Sequence, residues 1–126
     1  MIQSVQTILF VSDPGLSRDF YRRVLAGEPC LDVPGMTQFP LCTGCQLGLM
    51  PVAGARRLLA LDITERPGLP QAELYLYVDR PQDYLERAMQ AGGQLVSPLS
   101  LRNWGDEAGY VLDPDGHLLA FARPPQ

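Results

Sequence analysis

The order of elements readable along this chain repeats itself, and that repetition limits the available folds more than any other feature. "VQTILFVS" (5–12) is a β-rich run followed by Asp13-Pro14, an N-cap residue and a proline at the first helical position. Leu16, Phe20, Tyr21, Val24 and Leu25 then recur at helical spacing. Gly27 is expected to supply the left-handed residue that ends such a helix. Three short strands are expected near 29–33, 36–42 and 45–50. The second half runs through the same order. "AELYLYV" (72–78) reads as a strand, Pro81 opens a helix with apolar Tyr84, Leu85, Ala88 and Met89, and Gly92-Gly93 closes it. Strands near 94–97, 106–112 and 117–123 complete the copy, the last two joined by "DPDG".

The pattern is therefore βαβββ twice, an α+β architecture with module one at 1–50 and module two at 72–126. Residues 51–71, rich in Pro, Gly and Arg, read as a linker, with "LLALDI" as a short strand inside it. A connection of this length is uncommon inside one compact unit and suits a seam between two half-domains. Each small sheet can cover one face with its helix; the other face needs a partner. Two such modules forming a curved mixed sheet around a cavity is the expected arrangement, within one chain or exchanged between two.

Composition narrows the partners. The chain has 126 residues, 46% of them hydrophobic, which is enough for one domain with a real core. A net charge of −4 argues against a nucleic-acid partner, since phosphate binding needs clustered Lys and Arg. Arg22-Arg23 and Arg56-Arg57 are the only basic doublets and read as solvated surface. No apolar run approaches the roughly 18 residues of a membrane span, and the opening stretch lacks a basic leader pattern, so a cytoplasmic location is expected. The three cysteines, Cys30, Cys42 and Cys45, are an odd count that favours free thiols. "CTGC" falls between two strand patterns, as in a hairpin turn, rather than at a helix start where a dipole would activate a thiol. A structural reading of that motif is preferred over redox or zinc chemistry, for which Cys30 and His117 would be the remaining ligands.

Three stretches carry a family resemblance: "QTILFVSDPGLSRDFYRRVLAG", "ELYLYVD" and "AGYVLDPDGHLLAFA". In this order they resemble the vicinal oxygen chelate superfamily of glyoxalases, extradiol dioxygenases, fosfomycin-resistance transferases and bleomycin-resistance proteins. The resemblance implies four cavity-facing strand positions that hold a metal in the family's enzymes. Strand alternation places Gln6, Ile8 and Phe10 on that face of the first strand, and Glu73, Tyr75 and Tyr77 on that face of the fifth. The four ligand positions then fall on Gln6, Gly48, Glu73 and Ala120. Two of these have no donor atom, whereas a bound cation with open sites generally needs about three protein ligands. Gln6 and Glu73 are weak metal candidates, no cofactor is expected, and a divalent metal is the alternative. His117 follows "DPDG" directly and reads as a turn residue.

What remains suits small-molecule binding. Trp104 stands in "RNWGDEAGY", Tyr110 falls where the resemblance implies a cavity tyrosine, and Phe39, Tyr75 and Tyr77 are expected to add walls. Aromatic faces hold flat or cationic ligands by stacking and cation–π contact. A buried Glu73 would favour a positive group or act as an acid or base. Asp106-Glu107 reads as a solvated turn. The expected function is metal-independent sequestration of a hydrophobic or aromatic compound, such as an antibiotic, as in bleomycin-resistance proteins. The alternatives are a glyoxalase-like lyase, isomerase or transferase using Gln6 and Glu73 as ligands or Glu73 as base, and a non-catalytic partner domain. A homodimer is implied by the resemblance under all three.

Overall fold

The computed structural model describes residues 1–60 and 70–125. Val5–Val11 forms β1 and Pro14–Leu25 forms α1. Asp13 begins the helix as its residue type requires: its Oδ1 accepts the Leu16 N–H at 3.1 Å, and Pro14 needs no partner for a missing N–H. The buried stripe of α1 is Ser17, Phe20, Tyr21 and Val24, while Leu16, expected inside, is 55% exposed. The helix also ends one residue earlier than expected. Ala26, not Gly27, takes the left-handed conformation (φ 54°), and the Gly27 N–H donates to the Arg22 carbonyl at 3.2 Å.

Leu31–Val33 (β2), Met36–Cys42 (β3) and Cys45–Pro51 (β4) complete the first sheet, in the order β1-β4-β3-β2 with β1 parallel to β4. The β3–β4 hairpin carries a bulge. Cys42 lies opposite Cys45, but Pro40 lies opposite Gln46 and Phe39 opposite Leu47, so Leu41 is the extra residue. That one residue reverses which face each earlier β3 side chain occupies. It turns Phe39 toward the side of Leu47 and into the core, where its ring lies 6.5 Å from that of Tyr21.

The stretch read as an irregular linker contains a helix, Val52–Leu59 (α2). Leu58 and Leu59 of the expected "LLALDI" strand are its last residues, and residues 61–63 of that stretch lie outside the described ones. Ala55 is its buried residue, and Arg56 and Arg57 stand in its last turn, where positive charge complements the carbonyl end of the helix dipole.

The second copy follows the plan of the first. Glu73–Tyr77 (β5), Pro81–Gln90 (α3), Gln94–Leu101 (β6), Glu107–Leu112 (β7) and Leu118–Arg123 (β8) give a sheet ordered β5-β8-β7-β6, with β5 parallel to β8. Leu85 and Ala88 of α3 are buried, and Tyr84 stacks on Phe121 with centroids 5.3 Å apart. Met89, expected on the apolar face, is at the surface. The close seating of α3 depends on Gly109 of β7. A Cβ there would overlap the Leu85 Cδ1 methyl and lie 3.1 Å from the Leu99 amide nitrogen. At the "DPDG" turn, Asp113 Oδ1 accepts the N–H groups of Asp115 (2.9 Å) and His117 (2.8 Å), and its Oδ2 meets His117 Nδ1 at 2.8 Å. His117 is part of the turn.

The chain divides near residue 68 into two compact units, the second of which also includes Arg23–Leu25 of α1. Among the described residues no helix is long and apolar enough to cross a membrane.

Candidate ligand-binding face of the second module

On the face of the second sheet opposite α3, β5 contributes Tyr75 and Tyr77, and β7 contributes Tyr110. Tyr75 and Tyr110 flank Ala120 in register, because both are its strand partners. The Tyr75 and Tyr77 rings meet edge to face, with centroids 5.3 Å apart. What fixes them is Asp106, just before β7. Its Oδ2 accepts the Tyr75 hydroxyl at 2.7 Å and the Tyr77 hydroxyl at 2.9 Å. Asp106 is only 4% exposed, which corrects the expectation of a solvated turn there. Its neighbour Glu107 pairs with Arg123 at 3.0 Å.

Trp104 sits on the short loop between β6 and β7. The Arg102 N–H donates to the Asp106 carbonyl at 2.8 Å, the Gly105 N–H donates to the Arg102 carbonyl at 3.0 Å, and Gly105 has φ +101°. These bonds hold the indole so that its Nε1–H donates to the Tyr75 hydroxyl oxygen at 3.1 Å. A chain of donors therefore runs from Trp104 to Tyr75 to Asp106, with Tyr77 entering the same carboxylate. Trp104 is 57% and Tyr77 61% exposed. Exposed rings ordinarily turn freely; here Tyr77 is held by a bond to the buried carboxylate and Trp104 by a bond to the Tyr75 hydroxyl that the same carboxylate accepts.

Arg102 buttresses the other side. Its guanidinium donates to the Ala108 carbonyl at 2.8 Å, the Pro98 carbonyl at 2.8 Å and Ser97 Oγ at 2.9 Å, and lies 5.1 Å from the Tyr110 ring centroid. Three phenols here hold their protons more tightly than an ordinary tyrosine. Tyr75 is pushed up to about 12, first by burial and then by Asp106, against a lowering by the Trp104 N–H. Tyr77 is raised by its bond to Asp106, and Tyr110 by burial and then by the Glu73 charge, with Arg102 acting in the opposite direction.

The other candidates are placed differently. Glu73 is exposed, so the burial on which its acid or base role was conditioned is not met, although its charge reaches Tyr110. Phe39, expected as a cavity wall, is 1% exposed in the core of the first module. Gln6 is exposed on β1, in the first module, on the face it shares with Gly48. A Cβ at Gly48 would lie 3.1 Å from Ile8 Cγ1, 3.4 Å from Gln6 Cδ and 3.4 Å from Met36 Sδ. Asp106 and Arg102 were not among the expected site residues. No local signal marked Asp106, because the tyrosines that donate to it stand 31 and 29 residues away in the chain.

Of the four ligand positions that the family resemblance implies, two lack a donor. Gly48 and Ala120 offer no donor atom, and the space above Gly48 is taken by Ile8, Gln6 and Met36. Among the described residues no three His, Cys, Asp or Glu side chains gather where one ion could bind. Every buried side-chain nitrogen and oxygen among them has a hydrogen-bond partner, so none is left pointing at an empty ligand position.

Two βαβββ modules, each with its last strand beside its first, define the architecture of a known group of proteins. The chain belongs to the Glyoxalase/Bleomycin resistance protein/Dioxygenase superfamily, whose family model matches residues 3–121. Among solved structures it is similar to a glyoxalase-related enzyme from Fulvimarina pelagi, at 28% identity and a TM-score of 0.86, covering 98% of this chain and 88% of that one. It shares its fold with a hypothetical protein from S. aureus (21% identity, TM-score 0.81, 98% and 94% covered). A glyoxalase/bleomycin resistance protein/dioxygenase family enzyme from Burkholderia phytofirmans also has this fold (16%, 0.82, 94% and 95%). No curated protein matches the chain.

Proposed function

We propose that this protein binds a flat, hydrophobic or aromatic small molecule without a metal, in the manner of the bleomycin-resistance branch of its superfamily, and that antibiotics of that shape are among its ligands. One observation carries the reading: the buried carboxylate of Asp106 holds the exposed Tyr77 ring directly and the exposed Trp104 ring through Tyr75. Binding a guest to rings already fixed avoids the entropy of ordering them, which is the main advantage of a preformed site. The anion behind the rings also favours a guest with positive charge, adding Coulomb attraction to cation–π contact worth about 0.5–2 kcal/mol per ring. The donor set supports metal independence, since two of the four ligand positions that the resemblance implies are bare. Exposure of Glu73 weighs against the alternative in which it serves as a general base, since a desolvated carboxylate is what that chemistry favours.

The test is fluorescence anisotropy of a planar cationic dye, such as a phenanthridinium, titrated with the protein in the presence of a chelator. Saturable binding is expected, weakened in Trp104→Ala and Tyr77→Ala by about twofold to thirtyfold, the span set by one lost ring contact. Binding that needs an added divalent metal, or that is the same in both variants, would overturn the reading.

A further inference from the structure

A second feature, independent of the aromatic face, lies at the turn of the β3–β4 hairpin. Cys42 and Cys45 are direct cross-strand partners, separated by Thr43 and by Gly44 with φ +80°. The Cys45 thiol opposite raises that of Cys42, chiefly through a hydrogen bond between the two. Cys42 is exposed and Cys45 half-buried, so a small reagent can reach them. Both line a cleft of about 170 Å³ together with Gln6, Pro40 and Gln46. Opposed residues in an antiparallel pair have Cα atoms about 4.5–5.5 Å apart, within the range a disulfide spans without backbone movement.

Cys30 is not part of this pair. Its Sγ is tied to the Gln38 carbonyl at 3.4 Å. Gln38 stands four residues before Cys42 on β3, roughly 13 Å along an extended strand and well beyond disulfide reach. Among the described residues no third His, Cys, Asp or Glu joins the two thiols, so a closed metal site is not what they build. A fixed pair of accessible thiols with no third ligand is suited instead to two-electron thiol chemistry.

We infer that Cys42 and Cys45 form a dithiol site that a low-molecular-weight disulfide oxidises to a Cys42–Cys45 disulfide across the hairpin. One thiolate of the pair attacks a sulfur of the external disulfide, forming a mixed disulfide and expelling one thiolate. The second cysteine, as its thiolate, then attacks the mixed disulfide and displaces the other external thiolate. The protein dithiol loses two electrons and two protons; the external disulfide gains them and leaves as two thiols. Because Cys42 shares a hydrogen bond with Cys45, its thiol is raised above the ordinary range, and exchange is therefore expected to accelerate as pH rises.

The experiment equilibrates the folded Cys30→Ser chain in glutathione buffers of graded ratio, followed by acid quench, alkylation and intact mass. Oxidising buffers are expected to yield a chain lighter by two hydrogens that takes up no alkyl group. The midpoint should lie at a ratio at least about tenfold more reducing than for the same chain unfolded in urea, because the hairpin holds the sulfurs together. In Cys42→Ser or Cys45→Ser, made in the same background, reaction should stop at the glutathione mixed disulfide. Mixed disulfides that persist with both cysteines present, thiols that stay alkylable throughout, or equal midpoints folded and unfolded would overturn the assignment. In the unsubstituted chain Cys30 should remain alkylable; a disulfide joining Cys30 to either partner would equally overturn it.

Discussion

Replacing Asp106 with alanine removes the anchor of the aromatic face, and the structure sets the size of the effect. A hydrogen bond to a charged acceptor is worth about 1.5–3 kcal/mol, and the 2.7 Å bond from Tyr75 is of that kind. The bond from Tyr77 adds less, since that ring is well exposed. Removing a buried carboxylate also relieves its desolvation, which offsets part of the loss. A net destabilisation of about 2 kcal/mol is expected, lowering the melting temperature by roughly 6–10 °C for a chain of this size. Trp104 reports locally, because it is the only tryptophan and its Nε1–H bond depends on a fixed Tyr75. Its emission should shift to the red and its anisotropy fall in Asp106→Ala, and do both less in Asp106→Asn, whose amide oxygen still accepts. The alkaline limb gives a third readout. The fold needs Tyr75 protonated, and its phenol ionises at about 12 rather than the ordinary 10. The stability this contributes is therefore complete below pH 10 and is lost as pH climbs from 10 through about 12. In Asp106→Ala that decline should begin at the same pH and end sooner, since burial, the larger cause, remains while the carboxylate does not. Stability within about 0.5 kcal/mol of wild type, with unchanged Trp104 anisotropy, would refute the anchor role.

Two further substitutions test the supports beneath and beside that face. Gly109→Ala puts a methyl group into Leu85 and is expected to cost about 1–3 kcal/mol in urea denaturation by forcing α3 away from the sheet. Arg102→Gln removes the guanidinium that lowers the Tyr110 phenol, so Tyr110 should titrate higher in NMR of ring-labelled tyrosine, with about 1–3 kcal/mol of stability lost through the vacated carbonyls.

Much of the fold was legible because the signals were local. The Asp13-Pro14 start and the β-rich runs of β1 and β5 report themselves within a few residues, and each formed an element where its pattern lay. The failures came from effects that local pattern does not carry. Phe39 is expected as a cavity wall, but the bulge at Leu41 pairs it with Leu47 and turns it into the core of the first module. The helix α2 was missed because Gly54 and the arginine pair resemble linker composition, while its only buried residue is the small Ala55. Ala26 accepts a left-handed conformation although a glycine stands beside it. Asp106 looked like surface charge because nothing in its neighbourhood shows that two tyrosines thirty residues upstream will donate to it. The site is legible as a set of aromatic residues, but its organisation is not, because the organising group is acidic.

Gly109 bears on more than helix packing. Adjacent residues of a strand look to opposite sides, so the spot where α3 comes down onto bare backbone lies directly behind Tyr110. A surface backed this tightly has little slack with which to mould itself around a visitor. It should sort compounds by outline, accepting rings whose edges already match and turning away those that would require the floor to sink.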